Sequence, residues 1–113
     1  MKPIIITDTA NSTQYTLEYN RESVKFAEDR GVKINDLANG DVGISNLEML
    51  FFAAFRMHHR NVSLEKAMHI LYDDLGGLPQ NMLPRLIDLY SEPYNALLSG
   101  SDEAKNPQIK VEL

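Results

Sequence analysis

The chain has no cysteine, and none of its hydrophobic runs is long enough to cross a membrane. The absence of cysteine excludes disulfides and thiolate metal sites, and it suits a reducing cytosol. The first ten residues, MKPIIITDTA, hold a single lysine and three consecutive isoleucines. This apolar run is too short for a signal peptide or a membrane helix. We therefore expect a cytoplasmic protein that is neither exported by that route nor embedded in a membrane.

The chain is also short of positive charge, since 11 basic residues stand against 16 acidic ones and the net charge is −5. The basic residues are scattered along the sequence, so we expect the surface to repel a phosphate backbone. No nucleic acid is expected as a partner. With 113 residues, 43% of them hydrophobic and 24% charged, the composition predicts one folded globular domain.

Two β-rich runs near the N-terminus, PIIIT and QYTLEY, flank the turn-forming segment DTANST. This pattern predicts a β-hairpin over residues 3–19. Tyr15, Leu17 and Tyr19 alternate with polar residues, so one face of the second strand should be buried and the other should face water.

Two helices are predicted after the hairpin. Asn20 stands at the N-cap position of the first, RESVKFAEDR, and Gly31 ends it. Residues 32–44 are predicted to form a loop. The second helix begins at a capping-box pattern, in which Ser45 caps the helix and Glu48 reaches back to the cap.

Two more helices follow. Ser63 caps the third, LEKAMHILYDDL, which ends at Gly76-Gly77. Residues 78–98 form the fourth, with Pro84 in its early part and Pro93 kinking it or splitting off its last turn. The faces predicted to be buried are Leu64, Ala67, Met68, Leu71 and Leu75 in the third helix, and Leu83, Leu86, Ile87, Tyr90 and Leu97 in the fourth.

The predicted fold class is α+β, with an N-terminal β-hairpin packed on about four α-helices. These elements form a helix-dominated single domain over residues 1–98. Residues 99–113 are polar and turn-rich at first and are predicted to be a flexible C-terminal tail. Their last residues, QIKVEL, are strand-like and would order as a terminal strand against another surface.

The second helix is apolar on nearly every side. One stripe holds Leu47, Leu50, Phe51, Ala54, Phe55 and His58, and a second holds Met49, Phe52, Ala53 and Met57. Central burial explains the second stripe, because helices that are hydrophobic all round are usually buried. Alternatively it is a partner surface, since methionine suits surfaces that accept varied helices. The partner-binding residues under this second interpretation are Met49, Phe52 and Met57, with Val42 and Ile44 of the neighbouring loop.

No catalytic, cofactor-binding or metal-binding residue is assigned. His58, His59 and His69 lie near acidic residues, but no His-x-x-x-His or His-x-His pair puts two imidazoles on one helix face. We expect His58 to end a core stripe and His59 to satisfy the C-terminal carbonyls of the second helix.

Two further segments resemble known motifs without meeting them. YDDLGGLP lacks the residue ladder of a calcium loop and the lysine of a phosphate loop, and it is predicted to be a helix that ends at a double glycine. FRMHHRNVSLEKAMHIL has the layout of a helix-turn-helix, but its second helix offers one lysine against Glu65, Asp73 and Asp74. A small DNA-binding regulator and a metal-dependent enzyme therefore stay as alternatives.

The order of four segments carries a family resemblance: YTLEYNRESVKFAEDRG, LFFAAFRMHHRNVS, ILYDDLGGLP and LIDLYSEPY. Over about residues 15–98 the chain resembles the small tail assembly chaperones encoded by long-tailed phages and by prophages of Gram-positive bacteria. The resemblance rests on segment order and a few dipeptides, since the family has no catalytic signature.

The resemblance implies a non-enzymatic protein of the bacterial host cytoplasm, with no cofactor. Its partner would be the phage tape measure protein, which it keeps soluble until tail tube protein subunits polymerise around it. Such chaperones commonly self-associate. In many of these families translational frameshifting yields a longer form, and NPQIKVEL gives no sign of it.

Overall fold

The computed structural model describes residues 2–100 and 104–113. In chain order its elements are β1 (Ile4–Asp8), β2 (Thr13–Leu17), α1 (Arg21–Glu28), α2 (Ile34–Ala38), α3 (Ile44–Ala53), α4 (Leu64–His69), a π-helical segment (Ile70–Asp74) and α5 (Met82–Leu97). The predicted α+β class is confirmed, because a two-stranded hairpin precedes a helix-dominated remainder. None of the helices in the described residues is long and apolar enough to span a membrane.

The hairpin is antiparallel, and its register pairs Ile4 with Leu17 and Ile6 with Tyr15. Leu17 is fully buried and Tyr15 is half-buried, so the predicted alternation of faces is confirmed. The turn is held by Asp8, whose carboxylate accepts the Ala10 N–H at 3.0 Å.

Helix α1 begins as predicted. The Asn20 side chain accepts the Ser23 N–H at 2.8 Å, and the Ser23 hydroxyl accepts the Asn20 N–H at 2.8 Å. The helix ends at Glu28, three residues before the predicted glycine. Gly31 then adopts a φ of 96°, a left-handed conformation that favours glycine and turns the chain toward α2.

Helix α2 lies inside the segment predicted to be a loop, which corrects that prediction for residues 34–38. Its single turn is held in place by Leu37, which is 3% exposed. Burial of one leucine on a five-residue helix leaves too short a pattern for helical periodicity to be visible in the sequence.

Helix α3 begins at Ile44 with Gly43 at the N-cap, so the predicted capping box at Ser45 is wrong. The Glu48 carboxylate does not reach back to the cap and instead accepts the Tyr72 hydroxyl at 2.5 Å. The helix ends at Ala53, and the chain continues in turns to residue 58. In these turns an N–H group bonds to the carbonyl three residues earlier, as the Arg56 N–H does to the Ala53 carbonyl at 3.1 Å.

The third predicted helix is confirmed at both ends. The Ser63 hydroxyl accepts the Lys66 N–H at 3.0 Å, and Gly76 and Gly77 have φ values of 68° and 112°. Its middle differs, because α4 passes into the π-helical segment, where the Leu75 N–H reaches back five residues to the Ile70 carbonyl at 2.9 Å.

The buried face of the third predicted helix differs from the prediction at two positions. Leu64, predicted to lie on the buried face, is 45% exposed, whereas Ile70, absent from that face, is 2% exposed. Leu64 is the first residue of α4 and Ile70 is the first residue of the π-helical segment, so both differences lie at the ends of elements.

Helix α5 accepts Pro84 in its first turn and Pro93 in its interior. Leu86 and Tyr90 are fully buried as predicted, but Leu97 is 71% exposed, so its predicted place on the buried side is wrong. Leu97 instead lines an open recess between α5 and α1, with Val24 and Tyr94.

The described part of the tail, residues 104–113, contains no helix or strand. Residues 101–103 of the predicted flexible tail lie outside the described residues. A terminal strand formed against another surface stays a prediction.

The core lies where the hairpin, α1, α3 and α5 meet. The buried Tyr19 hydroxyl donates to the Leu50 carbonyl at 2.7 Å, and its ring packs edge-on against Tyr90 with centroids 5.0 Å apart. The Tyr90 hydroxyl reaches the carbonyls of Val24 and Val32 at 3.5 and 3.4 Å. Two tyrosines thus tie the end of the sheet, α1, α3 and α5 together.

Candidate functional site

A groove of about 720 Å³ runs between α1 and the turns that follow α3. We call it the arginine groove, and its lining residues are Asn20, Arg21, Glu22, Lys25, Phe26, Asp29, Arg30 and Arg56. Helix α1 supplies one wall because Arg21 and Lys25 stand four residues apart and so share a helix face. Arg56 reaches the groove from the turns after α3.

Phe26 is stacked between two arginines. The guanidinium carbon of Arg30 lies 3.6 Å from the centroid of the Phe26 ring, and that of Arg56 lies 3.9 Å from it. Two guanidinium groups at these distances would overlap on one face of the ring, so they occupy opposite faces. Each is attracted to the negative face of the aromatic ring. The stack holds two positive charges close together, and Arg30 is fixed further because its Nη1 donates to the Phe26 carbonyl at 3.1 Å.

Positive charge prevails in the groove. Four of its lining side chains are cationic and two are acidic, and one acid, Glu22, is already paired with Arg60. Among the residues that the structure describes, Arg21, Lys25 and Arg56 form no ion pair. The groove therefore has cationic groups available to an anionic ligand.

The predicted partner-binding residues divide into two groups. Phe52 is 8% exposed and packs edge-on against Phe26 at 5.6 Å between ring centroids. Met57 is 39% exposed and lines an adjoining recess of about 390 Å³ together with Arg56 and Arg60. These two residues therefore lie beneath and beside the arginine groove.

The other three residues lie elsewhere. Met49 and Val42 are partly buried against the core, and Ile44 is 73% exposed at the opposite end of α3. Phe52 and Ala53 of the second stripe are buried, as central burial of that stripe requires. The five residues do not form one continuous surface.

Both predictions for His58 and His59 are wrong, because α3 ends before it reaches them. His58 is exposed, and its Nε2 lies 2.8 Å from Glu18 Oε1. The half-buried His59 does not donate to helix carbonyls; its Nε2 accepts the Thr16 N–H at 2.9 Å. Burial, and then the neighbouring His58, lowers the pKa of His59 below its ordinary value. A neutral ring is required here, since a protonated Nε2 has no lone pair to accept the bond.

His69 lies apart from the other histidines, with Nδ1 2.8 Å from Asp73 Oδ2 and Nε2 3.6 Å from Asp74 Oδ1. Within residues 2–100 and 104–113 no group of three or more histidine or acidic side chains is arranged to hold a metal ion. The double glycine of YDDLGGLP ends the π-helical segment, as predicted from the sequence.

Four tyrosines have a raised pKa and remain hydrogen-bond donors at neutral pH. Burial raises the pKa of Tyr19 and of Tyr90. Burial, followed by the hydrogen bond to Glu28, raises the pKa of Tyr94 to about 12. The bond to Glu48 is the main cause of the raised pKa of Tyr72. In each case the phenol has a structural role, joining helices or capping a carbonyl.

The arginine groove was missed in the sequence because its parts are far apart there. Five of the 11 basic residues, described above as scattered, gather in space around Phe26: Arg21, Lys25, Arg30, Arg56 and Arg60. A partial signal was present in the Arg21 and Lys25 pair, which is followed at once by Phe26. The contribution of the 56–60 segment depends on the packing of α1 against α3.

The fold is a small α+β domain, and its arginine groove is lined mainly by cationic side chains. The chain belongs to the DUF5055 family, described as a domain of unknown function, and the family model matches residues 1–113. No curated protein and no solved structure matches the chain.

Proposed function

We propose that this protein is a non-enzymatic phage tail assembly chaperone that binds the tape measure protein in the bacterial host cytoplasm during tail morphogenesis. The resemblance over residues 15–98 suggests the class. The observation that carries the proposal is the arginine groove, a concave surface with an aromatic floor and available positive charge.

The groove has the chemistry to hold one face of an amphipathic helix. The partly exposed Met57 beside the groove offers apolar contact, and methionine adapts to varied side chains. Guanidinium groups bind carboxylates in a fixed geometry, and Arg56, which forms no ion pair among the described residues, is placed to do so. α1 is eight residues long, about 12 Å, so the groove matches roughly two turns of a client helix.

The acidic remainder of the surface supports the same function. The net charge of −5 keeps the chaperone soluble and discourages attachment away from the groove. Glu22 and Asp29 in the groove wall would repel a uniformly anionic ligand, whereas a helix of mixed charge can pair with both signs.

Two alternatives draw on other parts of the chain. A DNA-binding regulator would read a groove of DNA with α4, whose exposed side chains include Glu65 and Lys66. A metal-dependent enzyme would use the histidines. Neither the α4 surface of a DNA-binding regulator nor the histidines of a metal-dependent enzyme include the arginine groove. We therefore favour client binding over these two functions.

Co-expression with the tape measure protein of the same gene cluster tests the proposal. We expect the fraction of client that remains in solution after centrifugation to rise in the presence of this protein. If client solubility does not change, the chaperone proposal fails. A salt-dependent gel shift with duplex DNA in place of client protection would favour the regulator.

Two matched variants test the groove itself. Arg56→Glu reverses a charge in the stack on Phe26, and Lys33→Glu makes the same change at an exposed position outside the groove. We expect Arg56→Glu to weaken client capture by roughly fivefold or more, as expected for an arginine hot spot, and Lys33→Glu to retain it. If both folded variants protect the client as well as the parent chain does, the groove is not the binding surface.

A further inference from the structure

The outer edge of β1 is unpaired. The Thr16 N–H bonds to His59 and not to Ile5, so Ile5 and Thr16 form a non-hydrogen-bonded pair of the antiparallel ladder. The backbone N–H and C=O of Ile5 and Thr7 therefore point away from β2. No residue within 2–100 or 104–113 pairs with them. The Ile5 side chain is 50% exposed beside them.

The opposite edge of the hairpin is covered. The Thr16 N–H is taken by His59, and the Glu18 N–H donates to the Ala54 carbonyl at 3.0 Å. The turns after α3 thus close the β2 edge, and the hairpin can gain a strand on the β1 side only. Such an edge is a ready template for another extended chain.

The C-terminal tail has the pattern of such a strand. Ile109, Val111 and Leu113 are 56%, 67% and 117% exposed, and they alternate with Lys110 and Glu112. A period of two places the three apolar side chains on one face of an extended segment. Among the residues that the structure describes, none pairs with the β1 edge, and this apolar face of the tail is exposed.

A recess beside β1 can receive one of these side chains. It measures about 370 Å³ and lies between the hairpin and the π-helical segment, with Ile6, Ile70 and Leu75 among its lining residues. Its acidic members are Asp8, Asp73 and Asp74.

We propose that β1 takes residues 108–113 of a second copy of this chain as a third strand. Reciprocal exchange of two tails pairs both β1 edges and buries both apolar faces, which is the self-complementary contact of a two-fold symmetric dimer. The backbone provides the hydrogen bonds, and the recess sets the register by receiving an apolar side chain. This inference does not depend on the client or on the arginine groove.

Sedimentation of the full chain over a range of concentrations tests this pairing. Val111→Asp puts a charge on the apolar face of the tail, and Asn106→Asp puts the same charge outside the pairing segment. Thr7→Pro removes an outward N–H from β1, a change that an edge strand tolerates. We expect a dimer whose dissociation constant rises roughly tenfold or more with Val111→Asp or Thr7→Pro, as for loss of an interface anchor, and stays unchanged with Asn106→Asp.

Two results would overturn the proposal. One is a chain that is monomeric at every concentration, or a dimer that neither Val111→Asp nor Thr7→Pro weakens. The other is a monomer in which the Ile5 and Thr7 amides are protected from hydrogen exchange and Val111→Asp removes that protection. That result would assign the tail to the β1 edge of its own chain and would exclude the second copy.

Discussion

Tyr19 is the residue on which the hairpin and α3 depend most directly. Its ring is 4% exposed, and its hydroxyl donates to the Leu50 carbonyl within α3. Because this carbonyl lies in a dry core, water cannot replace the lost donor. The same carbonyl also accepts the Ala54 N–H at 3.3 Å, so removing the hydroxyl costs one buried hydrogen bond without leaving the acceptor unpaired.

We expect Tyr19→Phe to lower the free energy of unfolding by about 0.5–1.5 kcal/mol, the usual net contribution of one hydrogen bond. Tyr72→Phe is the matched control, since it removes a hydroxyl that donates to Glu48 at the surface, where water replaces it. Urea unfolding of both variants measures the difference. Equal losses would show that the buried hydroxyl of Tyr19 contributes no more than the exposed one of Tyr72.

His59 makes stability depend on pH. Its pKa is lowered in the folded chain, so the unfolded chain binds the proton more readily. The free energy of unfolding therefore includes a stabilising contribution from neutral His59. This contribution is fully present above about pH 6.5, the ordinary pKa of histidine, and it is lost as the pH falls through the lowered pKa. Protonation also removes the acceptor of the Thr16 N–H, next to His58, Glu18 and the Tyr15 ring.

We expect the parent chain to lose more thermal stability between pH 7.5 and pH 5 than His59→Gln does. Glutamine keeps an oxygen that can accept the Thr16 N–H but does not titrate. The measurement is the midpoint of thermal unfolding, with His69→Gln as the control that retains the parent response. Parallel losses in the parent and in His59→Gln would exclude His59 as the cause.

Phe52 and Met57 differ in burial, and this decides how each responds to a charge. Phe52→Glu buries an unpaired carboxylate, which costs several kcal/mol, a large part of the roughly 5–15 kcal/mol that a domain has. We expect that variant to be unfolded and Met57→Glu to fold, as judged by circular dichroism and sedimentation. A folded, monomeric Phe52→Glu protein would restore the interpretation of Phe52 as a partner-binding residue.

The helix caps show which local signals in the sequence were decisive. The side chains of Asn20 and Ser63 each accept a backbone N–H from the first turn of the helix that follows. Both caps were predicted from the sequence. Ser45 carried the same signal, but Gly43 takes the N-cap position instead, so α3 begins two residues earlier than predicted, at Ile44. Two competing starts two residues apart cannot be separated by local propensity.

We therefore expect Ser63→Ala to destabilise the chain by about 0.5–2 kcal/mol, the usual cost of losing a cap, and Ser45→Ala to leave stability nearly unchanged. Equilibrium unfolding in urea compares the two. The same substitution at two serines controls for side-chain entropy and helix propensity. A substantial loss at Ser45 would mean that its hydroxyl caps α3 in solution.

Predictability differs among the elements for physical reasons. The hairpin and the ends of α1 were visible because alternation, turns and caps are local. The π-helical segment was not, since Ile70 and Leu75 take their positions from packing and not from a periodic pattern. Helix α2 was missed because one buried leucine, Leu37, is too few to show a helical repeat of hydrophobic residues.

At the scale of the whole molecule, the arginine groove is formed by residues that are distant in the sequence, so sequence patterns do not reveal it. Phe26 and Arg56 are thirty positions apart in the sequence, and they meet because Phe26 packs on Phe52. The chain is acidic overall, so its average charge conceals a cationic surface. A charge total predicts solubility better than it predicts where a ligand binds.

If carboxylates of the client pair with this groove, binding depends on salt. We expect client capture to weaken as ionic strength rises from about 0.1 to about 0.5 M, because the screening length falls well below its value of about 10 Å at 0.1 M. Arg56→Gln should show a smaller salt dependence than the parent, measured as client retained on immobilised protein. Capture that is unaffected by salt would assign the binding energy to Phe26 and Met57 instead.

The bonds made by α5 also dictate when the chain can fold during synthesis. The Tyr90 hydroxyl reaches carbonyls 66 and 58 positions earlier, Tyr94 bonds to Glu28, and Arg85 bonds to the Lys2 carbonyl, 83 positions earlier. A nascent chain that has not yet released α5 from the ribosome therefore lacks the partners of α1 and of β1. Helices α1 and α2, on which α5 packs, stay partly uncovered during that interval, so α5 completes the core after the other elements have left the ribosome.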